Sequence, residues 1–228
     1  KAFDINVTVI MPENAPASSI EKIRHSGSTV ILEKDVSSAF EQARTLAEQG
    51  YHIIDDCIDT LVAEGYGTLA LELMEDCPTL TDLFVAVGGG AMLAGIATVL
   101  KSRNPDIRIW GVETEGASSM YQALRAGNPV NVDITSSIST LGVPVIDRLM
   151  LEHAQRYIEK VITVSDSDAI QGMISFGEQA RQWVEPAAGT LIPAAVAVIP
   201  NLPKDAIIGL IVCGGNVTQR EMNIWANC

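Results

Sequence analysis

The chain has 228 residues, with 15 Lys+Arg against 28 Asp+Glu and a formal net charge of −13. That balance argues against nucleic acid or an anionic membrane surface as a partner, although backbone dipoles can still build a local anion site. Hydrophobic residues make up 47% and aromatics 5%, and a content carried by Ala, Val, Ile and Leu suits a parallel sheet covered by helices on both faces. No apolar run reaches the roughly 18 residues of a membrane span. The four cysteines, Cys57, Cys77, Cys213 and Cys228, show neither C-x-x-C spacing nor disulfide density, so a reducing cytoplasm is the expected compartment.

In chain order, residues 7–11 read as an apolar strand and 17–25 as a helix stopped by Gly27. Residues 29–32 form a second strand. A helix over 36–48 carries Ala39, Phe40, Ala43 and Ala47 on one stripe and stops at Gly50. Residues 52–54 read as a third short strand, and 60–74 as a helix interrupted by Glu64-Gly-Tyr-Gly67. Strand 83–87, a glycine turn, helix 92–101 and strand 107–112 follow. Residues 113–145 are rich in Gly, Pro, Ser and Thr and look irregular apart from a helix near 119–126; excursions of that length are often functional. Regularity returns with helix 147–157 and strand 161–164. Ser165 then caps a helix, with Asp168 in the capping-box position. Pro186 begins an apolar helix to about 198, and 207–212 is the last strand before a short closing helix. Strands alternate with helices throughout, so the class is α/β with a mainly parallel sheet. Residues 1–54 and 55–228 are expected to belong to two lobes, the second larger.

The most informative run is Phe84-Val-Ala-Val-Gly-Gly-Gly-Ala-Met-Leu-Ala-Gly95. A β-branched segment passes through three glycines into a helix, presenting amides and a helix N-terminus to one point, which suits a phosphate. A tight turn without a ligand, or a dinucleotide site with Glu113 on a ribose, are the other readings; the spacing is wrong for G-x-G-x-x-G. Val212-Cys-Gly-Gly-Asn216 ends the last strand, where parallel sheets receive ligands. Glu185 before Pro186 is ordinary helix N-terminal chemistry, and periodicity leaves open whether it faces a ligand. His25, His52 and His153 lack ligand spacing and read as surface or packing residues. Asp55-Asp56 and Glu113-x-Glu115 read as solvated loop acids rather than a metal site.

Taken together, these residues resemble the fold-type II pyridoxal-phosphate enzymes, in the threonine/serine dehydratase and serine racemase group. The resemblance runs from about residue 7 to 217. It rests on Val9-Ile-Met-Pro-Glu-Asn-Ala-Pro16, Glu64-Gly-Tyr-Gly-Thr68, Val87-Gly-Gly-Gly-Ala-Met-Leu-Ala-Gly-Ile96, Asn104-Pro-Asp106, Gly111-Val-Glu113, Ser118-Ser-Met-Tyr121, Val184-Glu-Pro-Ala-Ala-Gly189 and Cys213-Gly-Gly-Asn216. It implies a two-lobed open parallel-sheet α/β fold of the tryptophan synthase β type. It also implies pyridoxal 5'-phosphate as cofactor, with Gly88, Gly89, Gly90, Ala91 and Met92 holding the phosphate and Cys213 at the pyridine nitrogen. A neutral group there leaves the ring a weaker electron sink, which favours β-elimination of a small hydroxy amino acid such as L-threonine or L-serine to a 2-oxo acid and ammonia. A cytoplasmic homodimer is the family expectation.

Two departures qualify that expectation. The family's Schiff-base lysine and its substrate-carboxylate loop lie upstream of the matched segment, and none of Lys1, Lys22, Lys34, Lys101, Lys160 and Lys204 has the lysine's context. No catalytic residue is therefore assigned here, and the sequence is expected to be part of a longer chain; an inactive fragment that keeps only the phosphate cup is the rival reading. Ile138-Ser-Thr-Leu-Gly142 replaces an Ala-Asp-Gly that helps many relatives bind a divalent cation, so no metal is assigned. Racemase and β-replacement synthase share the scaffold, and a nucleotide-binding oxidoreductase is the reading from the glycine turn and Glu113 alone.

Overall fold

The structure, a computed structural model, describes residues 5–15 and 17–225; Lys1, Pro16 and Cys228 lie outside them. Two compact units divide between Ile54 and Asp55. In the first, β1 (Thr8–Pro12) and β2 (Thr29–Glu33) pair in parallel, Thr8 opposite Thr29 and Pro12 opposite Glu33. α1 (Ala17–His25) supplies the crossover that a parallel pair needs. α2 (Val36–Glu48) opens on Asp35, whose carboxylate accepts from the Ser38 amide at 2.8 Å. Ala39 is buried on its inner face, whereas Phe40 is exposed, because one residue further is 100° around the helix. Residues 52–54 are not a strand: they are exposed and pair with no strand among the described residues.

The second unit is built on a parallel sheet in the order β5-β4-β3-β6, from β3 (Asp82–Ala86), β4 (Arg108–Thr114), β5 (Lys160–Val164) and β6 (Ile208–Leu210). β3 is buried along its whole length. Its alternation sends Leu83, Val85 and Val87 into one apolar cluster with Leu93, Ile96, Leu100 and Ile109. Phe84 and Ala86 enter a second cluster with Trp110, Val112, Leu191 and Ala194. Helices on both sides thus cover the sheet: α3 (Thr60–Asp76), α4 (Ala91–Arg103) and α6 (Arg148–Tyr157) on the first face, α9 (Leu191–Val198) on the second. At the amino end, Asp82 is fully buried. Burial opposes its charge, but the Arg108 guanidinium (2.7 and 2.6 Å), the Thr81 hydroxyl (2.7 Å) and the Trp110 indole N–H (3.0 Å) hold its carboxyl below the usual range.

Several elements differ from expectation for identifiable reasons. α3 is continuous through Gly65 and Gly67; Gly67 serves packing rather than a break, while Gly65 faces open space. A Cβ on Gly95 of α4 would collide with the Ala63 carbonyl, and one on Gly67 would stand 3.0 Å from Val99. The two helices therefore touch backbone to backbone. The helix from Pro186 is broken at Thr190 into α8 (Pro186–Gly189) and α9. Gly189 of α8 is pressed against Gly172 of α7 (Asp166–Ser175) in the same way. β6 has only three residues; Ile211 donates once more to the Phe84 carbonyl (3.1 Å), and the chain then leaves the ladder towards Glu185, which donates to Gly214 (3.0 Å). Ser165 caps α7 as expected, its hydroxyl accepting from the Asp168 amide at 3.0 Å.

The two kinds of helical glycine separate in a stability test. Gly95→Ala is expected to cost about 2 kcal/mol or more despite the better helix former, because a backbone carbonyl cannot rotate away. Gly65→Ala, with open space around it, should stabilise by about 0.5–1 kcal/mol. Urea unfolding midpoints of the two variants check both signs.

Candidate functional site

β3 delivers the chain into Gly88-Gly-Gly90, and α4 begins at Ala91. Gly90 is the N-cap, at φ 96° in the left-handed region, and no side chain caps the helix. The Val87 amide still belongs to the sheet, donating to Val112 at 2.8 Å, and the Ala94 amide is the first of the helix, donating to Gly90 at 2.8 Å. Between them, the amides of residues 88–93 meet no protein acceptor among the described residues. Six such donors at the positive end of a 13-residue helix are chemically suited to an anion held by backbone.

The walls of this turn explain why glycine is required there. A Cβ on Gly88 would lie 3.2 Å from the Thr140 carbonyl oxygen, and one on Gly90 would lie 3.0 Å from the Met120 methyl and 3.2 Å from Met150 Cβ. At Gly89 it would overlap Cys57, whose own Cβ would be 2.6 Å away. Cys57 is a contact that sequence reading missed, since it sits one residue beyond Asp55-Asp56. Its amide donates to Asp55 (2.9 Å), and burial, then Asp56 and Asp55, push the thiol up to about 12. Asp55, Asp56 and Cys57 bring their ligand atoms within 4.8 Å of one another, but a thiol held in the S–H form is a poor cation ligand.

Gly88–Gly90 and Cys213 are brought to the same end of the sheet. β6 pairs with β3 in parallel, Phe84 opposite Leu210, so the chain after each strand emerges side by side at the carboxyl edge, where such sheets take ligands. The Cys213 side chain is open to solvent, yet partial desolvation and then the Glu185 carboxylate push its thiol up to about 11. It is therefore a neutral S–H donor across the physiological range. Glu185 itself is half-buried and raised by that burial, against an Asn216 amide that favours its charge.

Glu113 corrects its sequence reading. It is not a solvated loop acid but a buried residue of β4, and its two carboxylate oxygens accept from the Met120 and Tyr121 amides, both at 2.8 Å. It caps α5 (Ser119–Ala126) from a distance, where Ser118 makes no cap bond of its own. That commitment leaves no oxygen positioned for a ribose. Met120, fixed this way, is the residue that backs Gly90. The irregular stretch after α5 is pinned rather than loose: the Ser136 and Ser137 hydroxyls and the Ser137 amide donate to Asp166 (2.7, 2.7 and 2.6 Å), and the Thr135 and Ser136 amides donate to Gly116 (2.8 and 3.1 Å). It carries the turn Ser139–Leu141, which closes over Gly88.

No described lysine of the second unit reaches this end. Lys101 is in the last turn of α4, where it donates to Pro105 at 2.9 Å, Lys160 opens β5, and Lys204 precedes β6; topology puts all three at the amino edge. The histidines are equally remote in role: His153 meets Thr98 at 3.0 Å, His25 bonds the Glu21 carbonyl and His52 is exposed. Among the described residues, no helix is long and apolar enough to cross a membrane.

A family profile described as "Pyridoxal-phosphate dependent enzyme" matches residues 1–214. The chain is 32% identical over 219 residues to an L-threonine ammonia-lyase of Thermotoga maritima, covering 94% of this chain and 54% of that protein. It is 30% identical over 227 residues to a serine racemase of Schizosaccharomyces pombe, covering 95% and 68%. Among solved structures, the serine racemase of Dictyostelium discoideum superposes with a TM-score of 0.85 at 27% identity, covering 94% of this chain and 69% of that one. The chain thus spans about half the length of the Thermotoga relative.

Burial pushes the Glu113 carboxyl up to about 7 from its ordinary 4.5, against two amides that favour the charge. An acid with a raised folded pKa binds its proton more tightly when folded. Its contribution is therefore most favourable below about 4.5 and is lost as pH rises to about 7, where the ionised group costs about 3 kcal/mol. Glu113→Gln should remove this slope. Comparing the pH dependence of urea midpoints for the two proteins between those limits checks it; parallel curves would contradict it.

Proposed function

The chain belongs to the pyridoxal-phosphate dependent enzymes, and from that membership we propose that the protein it comes from is an ammonia-lyase acting on a small hydroxy amino acid such as L-threonine or L-serine. In this reading residues 55–228 are the cofactor-binding lobe and 1–54 the remainder of a smaller one. The observation that carries it is the run of unengaged amides from Gly88 to Met92, walled by Cys57, Thr140, Met120 and Met150. The donor set fits a phosphate: backbone N–H groups at a helix N-terminus, and no room for a side chain.

Gly88, Gly89, Gly90, Ala91 and Met92 hold the cofactor phosphate, and Cys213 meets the ring nitrogen from the adjacent strand end. When bound, the cofactor supplies an electron-withdrawing ring that lets the substrate's α-proton leave and its β-hydroxyl be expelled. The chain's own contribution is to set how strong that withdrawal is. A thiol kept as S–H donates a weak hydrogen bond and transfers no proton, so the ring stays uncharged, which suits elimination better than a long-lived charge on the α-carbon. The pinned stretch from Ser136 to Leu141 sets the Thr140 carbonyl against Gly88. The amine that must bond the cofactor is not supplied by the described lysines of the second unit, and a lysine from outside these 228 residues is part of the proposal, as are a homodimer and a cytoplasmic location. The similarity to serine racemases supports racemisation as a second activity on the same scaffold.

The test is the full-length protein with pyridoxal phosphate, L-threonine or L-serine, and an assay for ammonia and the 2-oxo acid. Product in equal amounts supports the lyase; D-serine without 2-oxo acid makes the racemase reading the correct one. Gly89→Ala, which must displace Cys57, should weaken cofactor binding about tenfold or more in a spectroscopic titration, corresponding to roughly 1.4 kcal/mol. Unchanged affinity would remove the turn from the site.

A further inference from the structure

Around Cys213 the chain is built against one residue to which the sequence assigned only helix N-terminal chemistry. The Glu185 amide donates to the Gly214 carbonyl at 3.0 Å, and the Asn216 amide donates back to the Glu185 carboxylate. A Cβ on Gly214 would lie 2.6 Å from the Glu185 carboxyl carbon, and one on Gly215 would lie 2.6 Å from the Trp183 carbonyl oxygen. Both glycines are thus required by Trp183 and Glu185, packed against the turn. Pro186 follows at the first position of α8 and, with its fixed φ, limits the swing of Glu185.

We propose that Glu185 is a positioning residue: it fixes the turn that presents Cys213 and sets its carboxylate against Gly214, the residue next to that thiol. The proposal rests on the reading of Cys213 as the group at the cofactor ring, and it makes Glu185 act on the ring only through Cys213. The negative charge works in the same direction as desolvation, since Glu185 is the charged group that raises the Cys213 thiol. Burial raises Glu185 as well, but the Asn216 amide holds part of its charge in place. A thiol with a carboxylate near it resists deprotonation, so the ring meets a neutral donor whatever the cofactor's own charge. Gln keeps an acceptor for Asn216 but loses the charge, and Asp keeps the charge on a shorter stem.

The test is site-resolved alkylation of Cys213 by iodoacetamide in the full-length protein freed of cofactor, read by peptide mass spectrometry. In the native protein the rate should still climb about tenfold per pH unit from about pH 8 to about pH 10, because only the thiolate reacts. In Glu185→Gln it should be at least about threefold faster at the lower pH and level off earlier. Glu185→Asp should keep the slow native rate, which a merely structural role would not restore. Equal rates in the native protein and Glu185→Gln, or a native rate that levels off near the ordinary thiol value of 9.0, would overturn the proposal. Adding pyridoxal phosphate should slow alkylation. If it does not, the placing of Cys213 at the ring falls, while the comparison made without cofactor still stands or falls on its own.

Discussion

The second unit depends on one constraint: a strand buried on both faces has to end where side chains have no room. β3 sits between β4 and β6 with helices above and below, so the chain that leaves it is met from every side. Cys57, Thr140, Met120 and Met150 each occupy the space a Cβ would take at Gly88, Gly89 or Gly90. The price of that crowding is three glycines without packing of their own; the return is a backbone turn whose amides stay free. Rigid walls and free donors are the same fact seen from two sides.

Carboxylates do the supporting work around this end, and each is tied to backbone or to a hydroxyl. Glu113 holds two amides of α5, Asp166 holds the stretch from Ser136 to Ser137, Asp55 holds the Cys57 amide and Glu185 holds Asn216. The fifth, Asp82, does the same at the amino edge with Arg108 and Trp110. An acidic side chain accepts two amides at once without needing a donor proton, which makes it suited to tie loops and helix starts to strand ends. The cost is desolvation, and it appears as the raised pKa of Glu113 and Glu185.

The alternation of Val-, Ile- and Leu-rich runs with Ala-rich ones made the α/β class and most elements legible, because a parallel sheet covered on both faces leaves a continuous apolar signature. α1 and α2 end where the stop glycines Gly27 and Gly50 put them. The glycine turn and Cys213 were legible because each follows a strand directly. What escaped was long-range. Gly67 of α3 looks like part of a break until α4 is seen to lie on it. Glu113 looks like a loop acid because its partners are seven and eight residues on. Cys57 is 32 positions from the glycine it touches, and nothing periodic connects them. Residues 52–54 have the composition of a strand but no partner among the described residues, and a strand is defined by its partner.

That distribution bears on how a chain of net charge −13 would hold a phosphate dianion at all. The described lysines of this unit lie at the other edge of the sheet. Oriented amides and the end of α4, which are fixed by packing and do not titrate, supply attraction for an anion at the turn. Affinity built this way should respond to the shape of the turn far more than to pH or salt, since no exposed ion pair is involved for counterions to screen. At the other end of the cofactor, the groups placed to tune the ring would be the Cys213 thiol and the Glu185 carboxylate set against its turn. Anchoring would be assigned to backbone and electronic tuning to one thiol, and the two could be altered separately.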